Sequence, residues 1–67
     1  MRFRDLVRHL ESAPGIAGVA RTAWRGECHV TQIPLNGFRY LYLVIGVSNY
    51  MYAFSAEDAM ADDWETV

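Results

Sequence analysis

The run from Phe38 to Val47 constrains this chain more than any other segment. It is rich in β-branched and aromatic residues and follows an Asn36-Gly37 pair, so it reads as a strand entered from a tight turn. Successive strand side chains point to opposite faces, so Tyr40, Tyr42 and Val44 share one face and Leu41, Leu43, Ile45 and Val47 the other. Both faces are apolar. A small antiparallel sheet ordinarily keeps one face in water. The second face here therefore calls for a cover: a helix, another subunit or a ligand. The sequence offers only one clear helix, and the expectation is an intersubunit surface carrying Tyr40, Tyr42 and Val44.

Chain length sharpens that expectation. At 67 residues, 52% of them hydrophobic, the sequence is too short for two domains and too apolar for disorder. A single domain over residues 1–67 is expected. A chain of about 60 residues buries only about 60% of the surface its unfolded form exposes. So many large apolar side chains do not all fit inside one copy, and self-association into a homo-oligomer is the expected remedy. The longest apolar run, Tyr40 to Ile45, is far below the ~18 residues of a membrane span. No secretory leader pattern opens the chain, so a cytoplasmic location is expected. Cys28 is the only cysteine, which excludes an internal disulfide and a cysteine-rich zinc site.

The remaining pattern is α+β. Phe3, Leu6, Val7 and Leu10 recur at helical spacing, predicting an amphipathic helix over 3–12 that stops at Ser12-Ala13-Pro14-Gly15. Residues 16–21 read as a short strand, 22–26 as a turn carrying Trp24, and 28–33 as a second strand. Pro34 to Gly37 is the best turn in the chain. A turn at 46–49 and a strand over 50–54 follow. Ser55 then stands as an N-cap with Asp58 at the third helical position, the spacing of a capping box, predicting a short helix over 56–61. Asp62 and Asp63 close that helix against its macrodipole, so some other interaction should explain them. Residues 64–67 return as a terminal strand.

All six basic residues are arginines within residues 1–39, which hold three acids; residues 40–67 hold five acids and no basic side chain. Either the two parts attract each other, within or between subunits, or some arginines face an anionic ligand. DNA and RNA are poor partners for a chain of net charge −2 with no Lys/Arg run.

For an enzyme the inventory is thin. Cys28 and His29 are neighbours that a strand sends to opposite faces, so they form no nucleophile–base pair. Asp58 and Asp62 share a helical face, an arrangement usual for a capping acid and a solvated one. His9, four residues after Asp5, reads as a solvated helix-face histidine. There is no Gly-rich phosphate loop, serine elbow or zinc spacing. No catalytic residue, metal or cofactor is assigned. Binding is better supported: Trp24 lies on a turn between Arg21 and Arg25, and an aromatic ring beside guanidinium groups suits a nucleobase or ribose phosphate. The alternative is that Trp24 simply caps the sheet; Trp64 reads as core.

The ending from Tyr52 to Val67, with Ser55, Asp58, Ala61, Asp62 and Asp63-Trp64-Glu65 in order, resembles the C-terminal signature of the small phage domain called Thoeris anti-defence type 2, formerly a domain of unknown function. The front end agrees with that family, as a Met-x-Phe amphipathic helix followed by Val19-Ala20-Arg21-Thr22-Ala23-Trp24. The middle is shorter than the family's, and Met51-Tyr52 stands where the family has Pro-Trp. The resemblance implies a helix-plus-antiparallel-sheet protomer that assembles into dimers or tetramers. Pockets between protomers would sequester a cyclic nucleotide-type immune signal, a cyclic ADP-ribose isomer or a cyclic dinucleotide, in the cytoplasm of the infected host cell. Carried over by position, Trp24 would be the stacking platform, with Arg21 and Arg25 beside it, and Tyr52 a second aromatic. Ser55, Asp62 and Asp63 would accept hydrogen bonds from ribose hydroxyls or base N–H groups. The competing reading is a protein-binding inhibitor or assembly module whose tyrosine strand contacts a host defence protein, because Tyr, Trp and Arg are also the residues enriched at interface hot spots.

Overall fold

Helix α1 (Phe3–Ser12) forms on the predicted apolar stripe, and Leu6 and Leu10 on that stripe are fully buried. A computed structural model describes residues 1–67. After α1 come β1 (Gly18–Arg21), a single 3-10 turn at Thr22–Trp24, β2 (His29–Leu35), β3 (Phe38–Ile45), β4 (Ser48–Met51), α2 (Ala56–Met60) and β5 (Trp64–Thr66). The five strands make one antiparallel sheet in the order β4-β3-β2-β1-β5. The segment containing α2 carries the chain from one edge of the sheet to the other. The fold is thus a small α+β domain with an N-terminal helix, a five-stranded antiparallel sheet and a short second helix.

Two hairpins fix the register. Asn36 and Gly37 both take positive φ, 52° and 82°, the type I′ geometry that matches the right-handed twist of the flanking strands. The turn is only these two residues: Leu35 pairs with Phe38, and Pro34 pairs with Arg39 inside the ladder instead of lying in the loop. The next hairpin is equally tight, since Ile45 pairs with Ser48 across Gly46-Val47, with φ 59° at Gly46 as a II′ turn requires. The last strand of this pair is therefore 48–51, not the expected 50–54. Tyr52 makes one more backbone bond, its N–H donating to the Leu41 carbonyl at 2.9 Å, and the chain then leaves the sheet. At the other end, Ile16 lies in a turn and is exposed, because Ile16 and Ala17 both bond back to the Ala13 carbonyl; the strand starts at Gly18.

The register sorts the sheet into two unlike faces. Val19, Val30, Leu43 and Tyr50 stand in one row across four strands. On this side Leu6 and Leu10 of α1 pack with Val19, Val30 and Trp64, with Leu41 and Leu43 against them. On the other side Gly18, Thr31, Tyr42 and Met51 stand in a row, and no helix lies over it. The expected split of β3 is present, with Leu41 and Leu43 toward the core and Tyr40, Tyr42 and Val44 away from it. No helix of the chain is long and apolar enough to cross a membrane.

Candidate functional site

Asp58 is the centre of the one polar cluster that joins distant parts of the chain. Ser55 caps α2 as its spacing predicts. The Asp58 N–H donates to Ser55 Oγ at 3.1 Å, and the Ser55 N–H donates to Asp58 Oδ2 at 3.1 Å. The same Oδ2 accepts from the Tyr52 hydroxyl at 2.5 Å, and Oδ1 accepts from Arg21 Nη1 at 3.4 Å. The Asp58 carbonyl accepts the indole N–H of Trp64 at 2.9 Å. Asp58 is thus buried, and every polar atom of its side chain has a partner.

Arg21 extends the cluster. Its Nε donates to Asp63 Oδ1, while Asp63 Oδ2 accepts from the Thr22 hydroxyl at 3.0 Å. The guanidinium carbon lies 5.9 Å from the Trp64 ring centroid, within cation–π range. Asp63 therefore stands beyond the end of α2 because a cation from β1 meets it there.

Aromatic rings close the cluster on its core side. Trp24 meets Trp64 edge to face at 5.4 Å between centroids and Tyr52 at 6.2 Å. Phe54 meets both Tyr52 and Trp64 at 5.6 Å, and Phe3 of α1 at 5.0 Å. These contacts explain why Tyr52 and Phe54 leave the sheet: their rings bury more against the tryptophans than a strand edge would offer.

The charges hold one another in their ionised forms. Burial acts to raise the Asp58 carboxyl, but hydrogen bonds from Tyr52 and Ser55 and the charge of Arg21 outweigh it and leave it below the ordinary carboxylate range. Asp63 is lowered chiefly by its Arg21 hydrogen bond, and Arg21 is raised chiefly by the same bond. Burial, then the hydrogen bond to Asp58, then the Asp58 charge push the Tyr52 phenol well above its usual value.

Of the residues singled out from sequence, Arg21, Trp24, Tyr52, Ser55 and Asp63 are gathered in this cluster. The two arginines flanking Trp24 part company. Arg21 turns inward to Asp63, Asp58 and Trp64; Arg25 follows the 3-10 turn in the left-handed region at φ 57°, exposed and without an ion pair. The two aspartates separate likewise, Asp63 facing Arg21 and Asp62 exposed, with only its backbone carbonyl accepting from the Met1 amine at 3.3 Å. Tyr40, Tyr42 and Val44 lie together on the open sheet face, away from the cluster. Asp58 was legible only as a capping acid. Its place opposite Tyr52 has a faint sequence signal, a tyrosine six residues upstream across a helix start, whereas its contact with Arg21 has none. No three His, Cys, Asp or Glu side chains come together as a metal site would need, and one protomer encloses no cavity. Compared with known protein families, with curated proteins and with solved structures, the chain matches none.

Proposed function

We propose that this chain is a phage-encoded counter-defence protein that binds and sequesters a cyclic nucleotide-type signal, without catalysis, at sites completed by a second protomer. The observation that carries the reading is the convergence of the two segments bearing the resemblance. Arg21, Thr22 and Trp24 from the first meet Tyr52, Ser55, Asp58, Asp63 and Trp64 from the second in one cluster. Within it the residues have two kinds of work. Arg21, Ser55 and Asp63 spend their polar groups on neighbours and set the frame. Trp24 is half-buried in the cluster, and exposed Arg25 and Asp62, each next in sequence to a member of it, are the groups left for a ligand. A ring face for a base, a guanidinium for phosphate and a carboxylate for ribose hydroxyls are the groups a nucleotide requires. Sequestration breaks no bond: it needs only tighter binding than the host receptor's, at comparable concentration.

Titration of the purified protein with cyclic ADP-ribose isomers and cyclic dinucleotides tests this directly. Capture should change tryptophan fluorescence through Trp24 and raise the melting temperature by linkage, by ~2.7 kcal/mol of stability at a hundredfold excess over Kd. Linear ADP-ribose serves as the control. Native mass spectrometry of protein co-expressed with an active defence system reads stoichiometry and captured ligand together. Silence toward every nucleotide removes the reading and leaves the second one, a protein-binding inhibitor of a host defence protein, favoured by the tyrosines and apolar side chains on the open sheet face.

A further inference from the structure

We propose that the outer edge of β4 takes up an uncharged extended segment of another protein as a sixth strand of the sheet. The register shows which backbone groups are free there. In a hairpin with a two-residue turn, the pair flanking the turn exchanges both hydrogen bonds, and every second pair does so thereafter. Ile45 and Ser48 flank the Gly46-Val47 turn, so Ser48 and Tyr50 bond to β3. The Tyr52 N–H, donating to the Leu41 carbonyl at 2.9 Å, continues the same series. Asn49 and Met51 fall between these positions. Their N–H and C=O groups point away from β3, and no group of the chain meets them.

Sheet edges are ordinarily blunted by a covering element, by charge, by proline or by a bulge. The opposite edge, β5, has the first two. Thr22 N–H donates to the Asp63 carbonyl at 3.1 Å and Val67 N–H to the Gly18 carbonyl at 3.0 Å, so Trp64 and Thr66 turn their backbone groups outward. The Trp64 carbonyl is occupied by the Met1 amine at 2.9 Å, and Glu65 places a charge on the strand. β4 has no such device. Ser48, Asn49, Tyr50 and Met51 are all exposed, none is charged or proline, and their pairing with β3 is unbroken.

Side chains and length decide what fits this edge. Asn49 and Met51 project from the open face beside Val44 and Tyr42, and Ser48 and Tyr50 from the helix side beside Ile45 and Leu43. Met51 is 69% and Tyr50 55% exposed. No side chain of β4, or of the part of β3 paired with it, carries a charge. A charged residue laid beside them would lose hydration and meet no counter-charge, so the fitting strand has apolar or hydroxyl-bearing side chains on both faces. A second copy of the domain fits poorly, because it can bring only its own four-residue β4. At about 3.4 Å per residue that contact buries roughly 500 Å², well below the ~1,200 Å² of a stable interface. An extended segment has no such limit. It draws affinity from main-chain bonds to Asn49 and Met51 and specificity from side chains set beside Tyr50 and Met51, and it can run on over fully exposed Val47. None of these residues belongs to the Asp58 cluster, so the inference stands apart from the nucleotide reading.

The probe is a fluorescein-labelled, uncharged peptide of alternating valine and threonine, added to the full chain without nucleotide. Its fluorescence anisotropy should rise with protein concentration. By NMR hydrogen exchange, the Asn49 and Met51 amides should exchange freely in the protein alone and become protected when peptide is added. Met51→Pro removes an N–H that no strand of the chain uses, and Asn49→Lys sets a charge on the edge. Each should weaken peptide binding about tenfold or more with an unchanged circular dichroism spectrum. Thr66→Lys, on the β5 edge, should bind as wild type does. An anisotropy that does not rise overturns the inference. So does a peptide that binds without protecting Asn49 and Met51, or one that Asn49→Lys holds at full strength. Protection of both amides before any peptide is added also overturns it, because a second copy then occupies the edge. A protein that binds the peptide but no nucleotide keeps this inference and loses the ligand reading; one that binds a nucleotide but not the peptide does the reverse.

Discussion

The hydroxyl of Tyr52 donates to the same carboxylate oxygen of Asp58 that receives the Ser55 backbone N–H, so one atom fixes both the start of α2 and the point where the chain leaves the sheet. Removing that carboxylate orphans the donors of Tyr52, Ser55 and Arg21 together. Asp58→Ala should cost about 2–4 kcal/mol in urea denaturation, and Tyr52→Phe about 1–2 kcal/mol. The double variant should be less destabilised than the two losses added, since both remove the same bond. Strict additivity would show that the two side chains do not interact in solution.

Acid should weaken the protein through Asp58 and Asp63. Both carboxyls lie below their ordinary value when folded, so their contribution is complete above the unfolded value of about 4 and is lost as pH falls through the folded one. Tyr52 has the opposite sign. Its folded value is raised, so its contribution is complete below about pH 10 and is lost as pH climbs toward the folded value. Melting temperature should therefore be flat through neutral pH and fall at both ends. Asp58→Asn should flatten the acid limb, and an acid limb unchanged in that variant would exclude Asp58 as its source.

What could be read from sequence was what is decided locally. The α1 stripe, the Asn36-Gly37 turn and the Ser55/Asp58 box each depend on residues within a few positions of one another, and all three are present. The strand expected over 50–54 failed because Tyr50, Tyr52 and Phe54 alternate as a strand does. Only tertiary packing against Trp24 and Trp64 draws Tyr52 and Phe54 off the sheet. Likewise the acids after α2 signalled an unexplained cost, but the arginine that answers Asp63 is 42 positions away, a distance at which spacing carries no information.

Gly18 marks a close approach between strands. A Cβ there would lie 3.0 Å from His29 Cδ2 and 3.0 Å from Val67 Cγ2, both side-chain atoms. Gly18→Ala should cost about 1 kcal/mol, because the gain from a stiffer unfolded chain, roughly 0.5–1 kcal/mol, is smaller than the crowding it causes. In a His29→Ala background half of the obstruction is gone, and the same substitution should become neutral or stabilising. Chemical denaturation of the four proteins checks the reversal; an equal cost in both backgrounds would place the strain elsewhere.

Arg25 separates holding the fold from holding a ligand. Its backbone takes φ 57° where the 3-10 turn ends, its N–H bonds the Thr22 carbonyl at 3.1 Å, and its side chain makes no ion pair. Glycine takes that conformation without a steric penalty, and the relief of about 1–2 kcal/mol exceeds the 0.5–1 kcal/mol by which glycine loosens the unfolded chain. Arg25→Gly should thus leave stability unchanged or raise it by up to about 1 kcal/mol. If the proposed nucleotide site uses this guanidinium, the same variant loses a charge-assisted hydrogen bond of about 1.5–3 kcal/mol, which weakens capture about tenfold or more. Arg21→Gln, by contrast, breaks the contacts to Asp58 and Asp63 and should lower both stability and binding. Urea midpoints and nucleotide titrations on the two variants measure the split. A destabilised Arg25→Gly would mean that its side chain supports the turn, and an undiminished affinity would remove Arg25 from the site.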